Sequence, residues 1–455
     1  MKKKSGNYHM LLSLSDFLIL PFYLLIIYQI AKRFQQNRIR ENPVYEYYIS
    51  GLFAKIGGGI FLVLIYTLYY KGGDTTAYFE SALILDKLRQ INFSGYLEIM
   101  SNNLNRETYS YFNSSTAWPQ YFFDKQSFTV VRAANIINIV GLNSYMLTTV
   151  VLAALSYNGI WRLYLLFTEL YPNYTRQLTY SILYVPSVLF WGSGILKDTL
   201  TLMGACWFTF SFYMVFIKRD KIGINAMLMI LSALLILQMK PYIFIALVPG
   251  SLIWYSFDQI TAISNPVIKF LVAPIIIVTV LGIGSLGLSS LSGSLGQYSS
   301  IDKIVDKAVI TQKDMKMDYN KGNSFDIGEF DGSFGSLARK FPVATFAGLF
   351  FPQLWQVRNP VMLLAAIENT VLVLVTLFLL LRVGLGRVYT LIKDQPLLVS
   401  SVVFSIFFAF GVGLSTSNFG ALVRYKIPAV PFYASAILII YQLNKSGELK
   451  QKDKQ

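Results

Sequence analysis

Residues 190–202 read FWGSGILKDTLTL. Lys197 and Asp198 stand between two apolar stretches, roughly 177–192 and 199–217. A charge inside a membrane span costs about 2.5–3.5 kcal/mol on insertion scales, so such charges are usually paired, water-facing or functional. The pair therefore marks a place where one span ends at a membrane surface and the next begins. Around it the chain reads as a polytopic, all-α membrane protein whose other conspicuous charges gather on one side of the bilayer.

The composition agrees. Over 455 residues the chain is 54% hydrophobic, 15% aromatic and only 14% charged, with a mean hydropathy of +0.50. A soluble globular protein does not have this profile. The net charge of +15 does not point to nucleic acid, because the Lys and Arg residues lie mostly in short connectors, where they set topology and meet anionic headgroups. A single cysteine, Cys206, excludes an internal disulfide and a cysteine-based metal site. A single histidine, His9, argues against zinc and histidine-dependent catalysis. No cofactor and no metal is expected, and no phosphate-loop or dinucleotide-binding signature is present.

Hydropathy places about eleven spans of roughly 20 residues each, at 11–31, 50–70, 143–167, 177–192, 199–217, 224–239, 241–257, 266–289, 360–382, 395–414 and 427–443. The whole of 1–455 is read as one membrane domain, a transmembrane helical bundle. Basic clusters follow the first span (Lys32, Arg33, Arg38, Arg40), the fifth (Lys218, Arg219, Lys221) and the ninth (Arg382, Arg387, Lys393), and a fourth forms the tail. Alternation puts all four on one face, the cytoplasmic one by the positive-inside rule. Lys2, Lys3 and Lys4 then fall outside, against the rule, and are outvoted. Two hydrophilic segments follow on the extracytoplasmic face. Segment 71–135 contains YFESALILDKLRQI and YLEIMSNNL, whose spacing fits amphipathic helices in the interface. Segment 290–358, Ser- and Gly-rich at its start, reads as an external loop with a short helix near 301–309.

Asp74 in KGGDTTAYFESA leaves the second span directly, and Gly72 and Gly73 allow a tight turn that aims it back at the bilayer. A carboxylate there can act as a base towards an acceptor hydroxyl, or simply cap a helix. Lys197 and Asp198 can likewise face a phosphate, or serve the following helix through snorkelling and its dipole. Lys240 and Tyr242 in QMKPY, Arg358 in WQVRNP, and Arg424 and Lys426 in STSNFGALVRYKIP add cations expected at the same face. Individually each suits interfacial anchoring. Together they suit the phosphate of a lipid carrier, with Arg as the bidentate binder and Lys as a point charge. Glu368 in LLAAIEN is read as a structural carboxylate inside a span.

Four passages, GGDTTAYFESA, PSVLFWGSGILKDTL, FFPQLWQVRNPVMLLAAIEN and STSNFGALVRYKIPAVPF, together resemble the GT-C class of integral-membrane glycosyltransferases, and look closest to bacterial relatives of protein mannosyltransferases and aminoarabinose transferases. The resemblance implies a sugar carried from a polyprenyl-phosphate-linked donor to a glycan, lipid or protein acceptor, in a bacterial inner membrane with the active site outside. It also implies an acid in the first outer loop acting as base, matched by Asp74, and cations at outer helix ends holding the lipid phosphate, for which Lys197, Lys240, Arg358 and Arg424 stand. The chain departs from the class in having an extra helix before the acid and no second acid beside it. An O-antigen or exopolysaccharide polymerase working on polyprenyl-diphosphate-linked glycans is the related alternative. A transporter or flippase of lipid-linked glycans is the alternative of another class, with ionisable groups near the bilayer midplane as its mark. Reporter fusions at residues 74 and 424 are expected to report one and the same extracytoplasmic compartment. Fusions reporting opposite compartments would end the shared-face assignment.

Overall fold

The computed structural model describes residues 11–265, 271–272, 275, 301–315 and 324–452. Among these there is no strand, only an isolated bridge between Ser324 and Asn418, and the chain is a succession of helices. Seven are long and apolar enough to cross a membrane: Leu14–Ile39, Pro43–Tyr69, Tyr145–Leu170, Lys197–Lys218, Ile222–Met239, Pro360–Val383 and Pro396–Ser415. An eighth is a pair, Phe419–Tyr425 with Val430–Gly447, bent by 69°. The ends are set locally. Ser13 and Asp16 form a capping box, and Asn359 accepts from the Met362 amide ahead of the Pro360–Val383 helix.

Among the described residues, two of the eleven expected spans differ from expectation for physical reasons. The expected span 177–192 is broken into Thr175–Leu178, a wide turn over Thr179–Leu183 and Pro186–Trp191, because Pro186 lacks an N–H and disfavours helix at the residue before it. The expected span 241–257 forms a helix of 15 residues, Pro241–Tyr255, about 23 Å long and too short to cross alone. The expected span 266–289 lies almost wholly outside the described residues.

The chain divides into two compact units, Met1–Trp161 with Leu189–Met203, and Arg162–Val188 with Gly204–Gln455. In the first unit, segment 71–135 is organised by Asp74–Ile91, Phe93–Met100 and a helix running on to Gly141, Lys125–Gly141. Ala82, Leu85, Leu88, Phe128 and Val131 are buried between them. Asn135 ties the layer together, donating to the Ala82 carbonyl (2.9 Å) and accepting from Tyr96 Oη (3.0 Å). Glycines admit the closest backbone approaches: a Cβ on Gly58 would lie 2.1 Å from the Leu189 carbonyl oxygen, and one on Gly159 would lie 2.6 Å from that of Met203.

In the second unit, part of the expected external loop is a packed helix. Phe334–Phe350 crosses Pro396–Ser415 through reciprocal small residues: a Cβ on Gly348 would lie 2.0 Å from the Ala409 carbonyl oxygen, and one on Gly413 would lie 1.9 Å from that of Ala344. This is how membrane helices gain van der Waals contact in the absence of a hydrophobic drive. The apolar run FPVATFAGLF at 341–350 supplies the helix. Ahead of it, Phe325 donates its amide to the Ser417 carbonyl (2.8 Å) and sets its ring among Phe351 and Phe419. The helix expected near 301–309 forms over Ile301–Met315. Replacing Gly348 by Val is expected to destabilise the protein by about 1–3 kcal/mol through overpacking. Thermal unfolding in detergent checks this, with Gly335→Val, whose site is open, as the neutral control.

Candidate functional site

In the first unit, Asp74 is the first residue of the Asp74–Ile91 helix, not its cap. Gly73 holds the cap position at φ 146° with Gly72 before it at φ 131°, conformations that favour glycine. Thr76 closes the turn, its Oγ1 accepting from the Gly73 amide (3.0 Å) and donating to the Gly73 carbonyl (2.8 Å). Thr75 Oγ1 lies 2.9 Å from Tyr145 Oη, fixing the helix start to the Tyr145–Leu170 span. The half-buried Asp74 carboxylate thus sits at the positive end of a helix dipole. Tyr121 Oη donates to its Oδ1 at 3.1 Å. Tyr121 adopts φ 60°, a left-handed conformation uncommon for an aromatic residue, and its neighbour Gln120 donates its amide to the buried Ser81 Oγ (3.0 Å).

From Tyr121 a continuous path of contacts reaches Lys197. The Tyr121 ring lies 5.1 Å from that of Tyr78, and Tyr78 Oη donates to Ser127 Oγ (3.4 Å). Ser127 Oγ donates to Asp124 Oδ2 (2.5 Å) and accepts from Lys197 Nζ (3.0 Å), with Lys197 4.0 Å from Asp124. Asp124 also caps the Lys125–Gly141 helix by accepting from the amides of Gln126 and Ser127. Burial pushes the Asp124 carboxyl up, but the Ser127 hydroxyl, the Lys197 charge and the two amides outweigh it and hold the group below the ordinary carboxylate range. Asp198, the next residue, is buried (1% exposed) in the first turn of the Lys197–Phe212 helix. Glu80, in the Asp74–Ile91 helix, is half-buried, and its carboxyl is pushed up by burial.

In the second unit, Lys240 is buried with its ammonium over the Tyr425 ring at 4.5 Å. Tyr242 stacks on Phe408 (6.0 Å, 13°). Arg424 is half-buried in the Phe419–Tyr425 helix, and Arg358 is exposed just ahead of the Pro360–Val383 span. Lys426, expected as a phosphate ligand, has its ammonium among protein oxygens. Its residue is 1% exposed, and its ammonium donates to the carbonyls of Leu349 (2.8 Å) and Phe351 (3.0 Å) and to Asn369 Oδ1 (2.5 Å). Three N–H groups meet three protein oxygens, so the residue clamps the end of the Phe334–Phe350 helix. Glu368 finds its partner in Ser187, accepting from its amide and its hydroxyl at 2.6 Å each.

Asp74 and Lys197 are therefore joined in one network, while Lys240, Tyr242, Arg358 and Arg424 belong to the other unit. Tyr78, Tyr121, Asp124 and Ser127 complete the network and carry no sequence signal beyond their place in an aromatic, polar loop. Among the described residues no group of three or more His, Cys, Asp or Glu is arranged to hold a metal ion. No family model, curated protein or solved structure matches the chain. The site chemistry therefore rests on these residues. A carboxyl held low in the fold stabilises it above its unfolded pKa and loses that contribution as pH falls through the folded value. Asp124→Asn is accordingly expected to flatten the loss of stability that the wild type shows on acidification below about pH 4, read as the pH dependence of the unfolding midpoint.

Proposed function

We propose that the chain is an integral-membrane glycosyltransferase that moves a sugar from a polyprenyl-phosphate-linked donor to a hydroxyl acceptor, with Asp74 as base. The supporting observation is the network itself: a half-buried carboxylate outside the membrane spans, joined through Tyr121, Tyr78 and Ser127 to a lysine ammonium. Glycosyl transfer asks for this combination of an acid and a cation in a partly dry site. The acceptor oxygen forms a bond to the anomeric carbon, the bond from that carbon to the phosphate oxygen breaks, and the phosphate leaves with the electron pair. Asp74 takes the acceptor proton as the new bond forms. Lys197 offsets the charge that grows on the leaving phosphate, with Asp124 and Ser127 fixing its position.

Tyr121 serves Asp74 in this scheme by donating to Oδ1 (3.1 Å), which orients the carboxylate. The basic residues of the second unit, Lys240, Arg358 and Arg424, suit anionic headgroups of carrier and bilayer lipid. The protein would then act in a bacterial inner membrane with Asp74 on the extracytoplasmic side. The test uses vesicles supplied with cell-derived lipid-linked sugars. Asp74→Asn is expected to lower turnover by about 10²–10⁴-fold, the usual worth of a general base, and Lys197→Met to lower it too. Equal turnover by wild type and both variants would remove the assigned roles, and transbilayer movement without transfer would favour the transporter.

A further inference from the structure

Lys55 is the one lysine buried within the Pro43–Tyr69 span, and its residue is 1% exposed. An ammonium at that depth is expensive unless oxygens surround it. Its Nζ donates to the Gly192 carbonyl and reaches Ser193 Oγ at 3.3 Å. Both acceptors belong to the turn that leads into the Lys197–Phe212 helix.

The rest of the same helical face is shaped to that turn. Lys55, Gly58, Gly59 and Leu62 follow the spacing i, i+3, i+4, i+7, which lines one side of a helix. A Cβ on Gly58 would strike the Leu189 carbonyl oxygen at 2.1 Å, and one on Gly59 would lie 3.3 Å from that of Ser193. From the other side, a Cβ on Gly194 would meet Leu62 Cδ2 at 2.7 Å. The turn is stitched onward: Ser193 Oγ donates to the Leu189 carbonyl (2.6 Å), Leu196 N to that of Gly194 (2.9 Å) and Thr199 Oγ1 to the same oxygen (2.6 Å). Lys197 comes three residues after Gly194, and its ammonium ends on Ser127 and Asp124.

We infer that Lys55 is a positioning residue for Lys197: its ammonium pins the 189–194 turn against the glycine face, and the turn sets where the Lys197 side chain emerges. The link to transfer rests on the function proposed above, but the positioning stands by itself. Lys55 touches no substrate in this scheme. It acts through backbone, which explains why a charge is retained where an apolar residue would be cheaper.

The test uses the full-length protein in lipid nanodiscs and reads the rate at which single lysines are acylated by an amine-reactive ester, resolved by mass spectrometry. Lys87 and Lys125, both exposed in the same unit, are internal references. In Lys55→Met, Lys197 is expected to react about fivefold faster, the scale of one lost hydrogen-bond restraint, with Lys87 and Lys125 unchanged. Lys55→Arg, which keeps a cationic donor, should restore much of the wild-type rate. Gly58→Ala leaves Lys55 in place but pushes on the turn, and should release Lys197 in the same way. Should Lys55→Met fail to fold, Lys55→Gln and Gly58→Ala carry the measurement. An unchanged Lys197 rate in the folded variants overturns the proposal, and so does an equal rise in hydrogen exchange across the Asp74–Ile91 helix, which would mean general loosening. Released Lys197 in a protein whose wild type transfers no sugar would keep the positioning role and discard the transferase.

Discussion

A helix that breaks inside a bilayer exposes backbone carbonyls where no water can reach them, and each must find a donor within the protein. This chain meets that demand with lysine. In one unit Lys55 donates to the Gly192 carbonyl of the turn before the Lys197–Phe212 helix. In the other, Lys426 donates to the carbonyls of Leu349 and Phe351, where the Phe334–Phe350 helix stops. Asn369 supports the same end, donating to the carbonyls of Phe351 and Pro352 at 3.0 Å each. A buried ammonium without oxygens, or a buried break without donors, would each be costly, and pairing them removes both penalties at once.

Breaks held in this way let short polar stretches interrupt apolar helices without dissolving them. The WGSG turn between Pro186–Trp191 and Lys197–Phe212 is such a stretch, and it delivers Lys197 to Ser127. At Asp74 the device differs: two glycines at positive φ turn the chain sharply as it leaves the Pro43–Tyr69 span, and the helix restarts with the carboxylate in its first turn. The intervening residues, Tyr121, Tyr78 and Ser127, link the two side chains through contacts of their own.

Hydropathy made most long spans legible, because about 20 apolar residues in a row have few other uses. It failed where composition and packing disagree. Residues 177–192 are apolar enough but carry Pro186, and residues 334–350 hide an apolar helix behind a segment of mixed charge. Asp74 and Lys197 stood out since each is a charge beside an apolar run. Asp124, Ser127 and Tyr121 did not, being polar or aromatic residues in a loop already rich in both. Lys426 was conspicuous, yet its role was hidden, for the carbonyls that bind it leave no trace in side-chain sequence. Lys55 within YISGLFAKIGGGIF did carry a signal, a lone charge followed within one turn by three glycines. That pattern fits a helix face built to receive another backbone, not a ligand.

The distinction between clamped and exchangeable charges also bears on the choice between transfer and transport. A transporter needs intramembrane ionisable groups that change partners as the cycle proceeds. Glu368 and Lys426 lie within or between spans, as such groups would. Glu368, however, has both oxygens on Ser187 at 2.6 Å, and Lys426 has an acceptor for each N–H. Releasing either would leave a buried charge without these partners, which is costly in an apolar surrounding. The Asp74 and Lys197 side chains are half-buried, with Tyr121 Oη on the first and Ser127 Oγ and the Asp124 carboxylate beside the second. In the transfer proposed above, these two side chains are the ones that would meet the substrate.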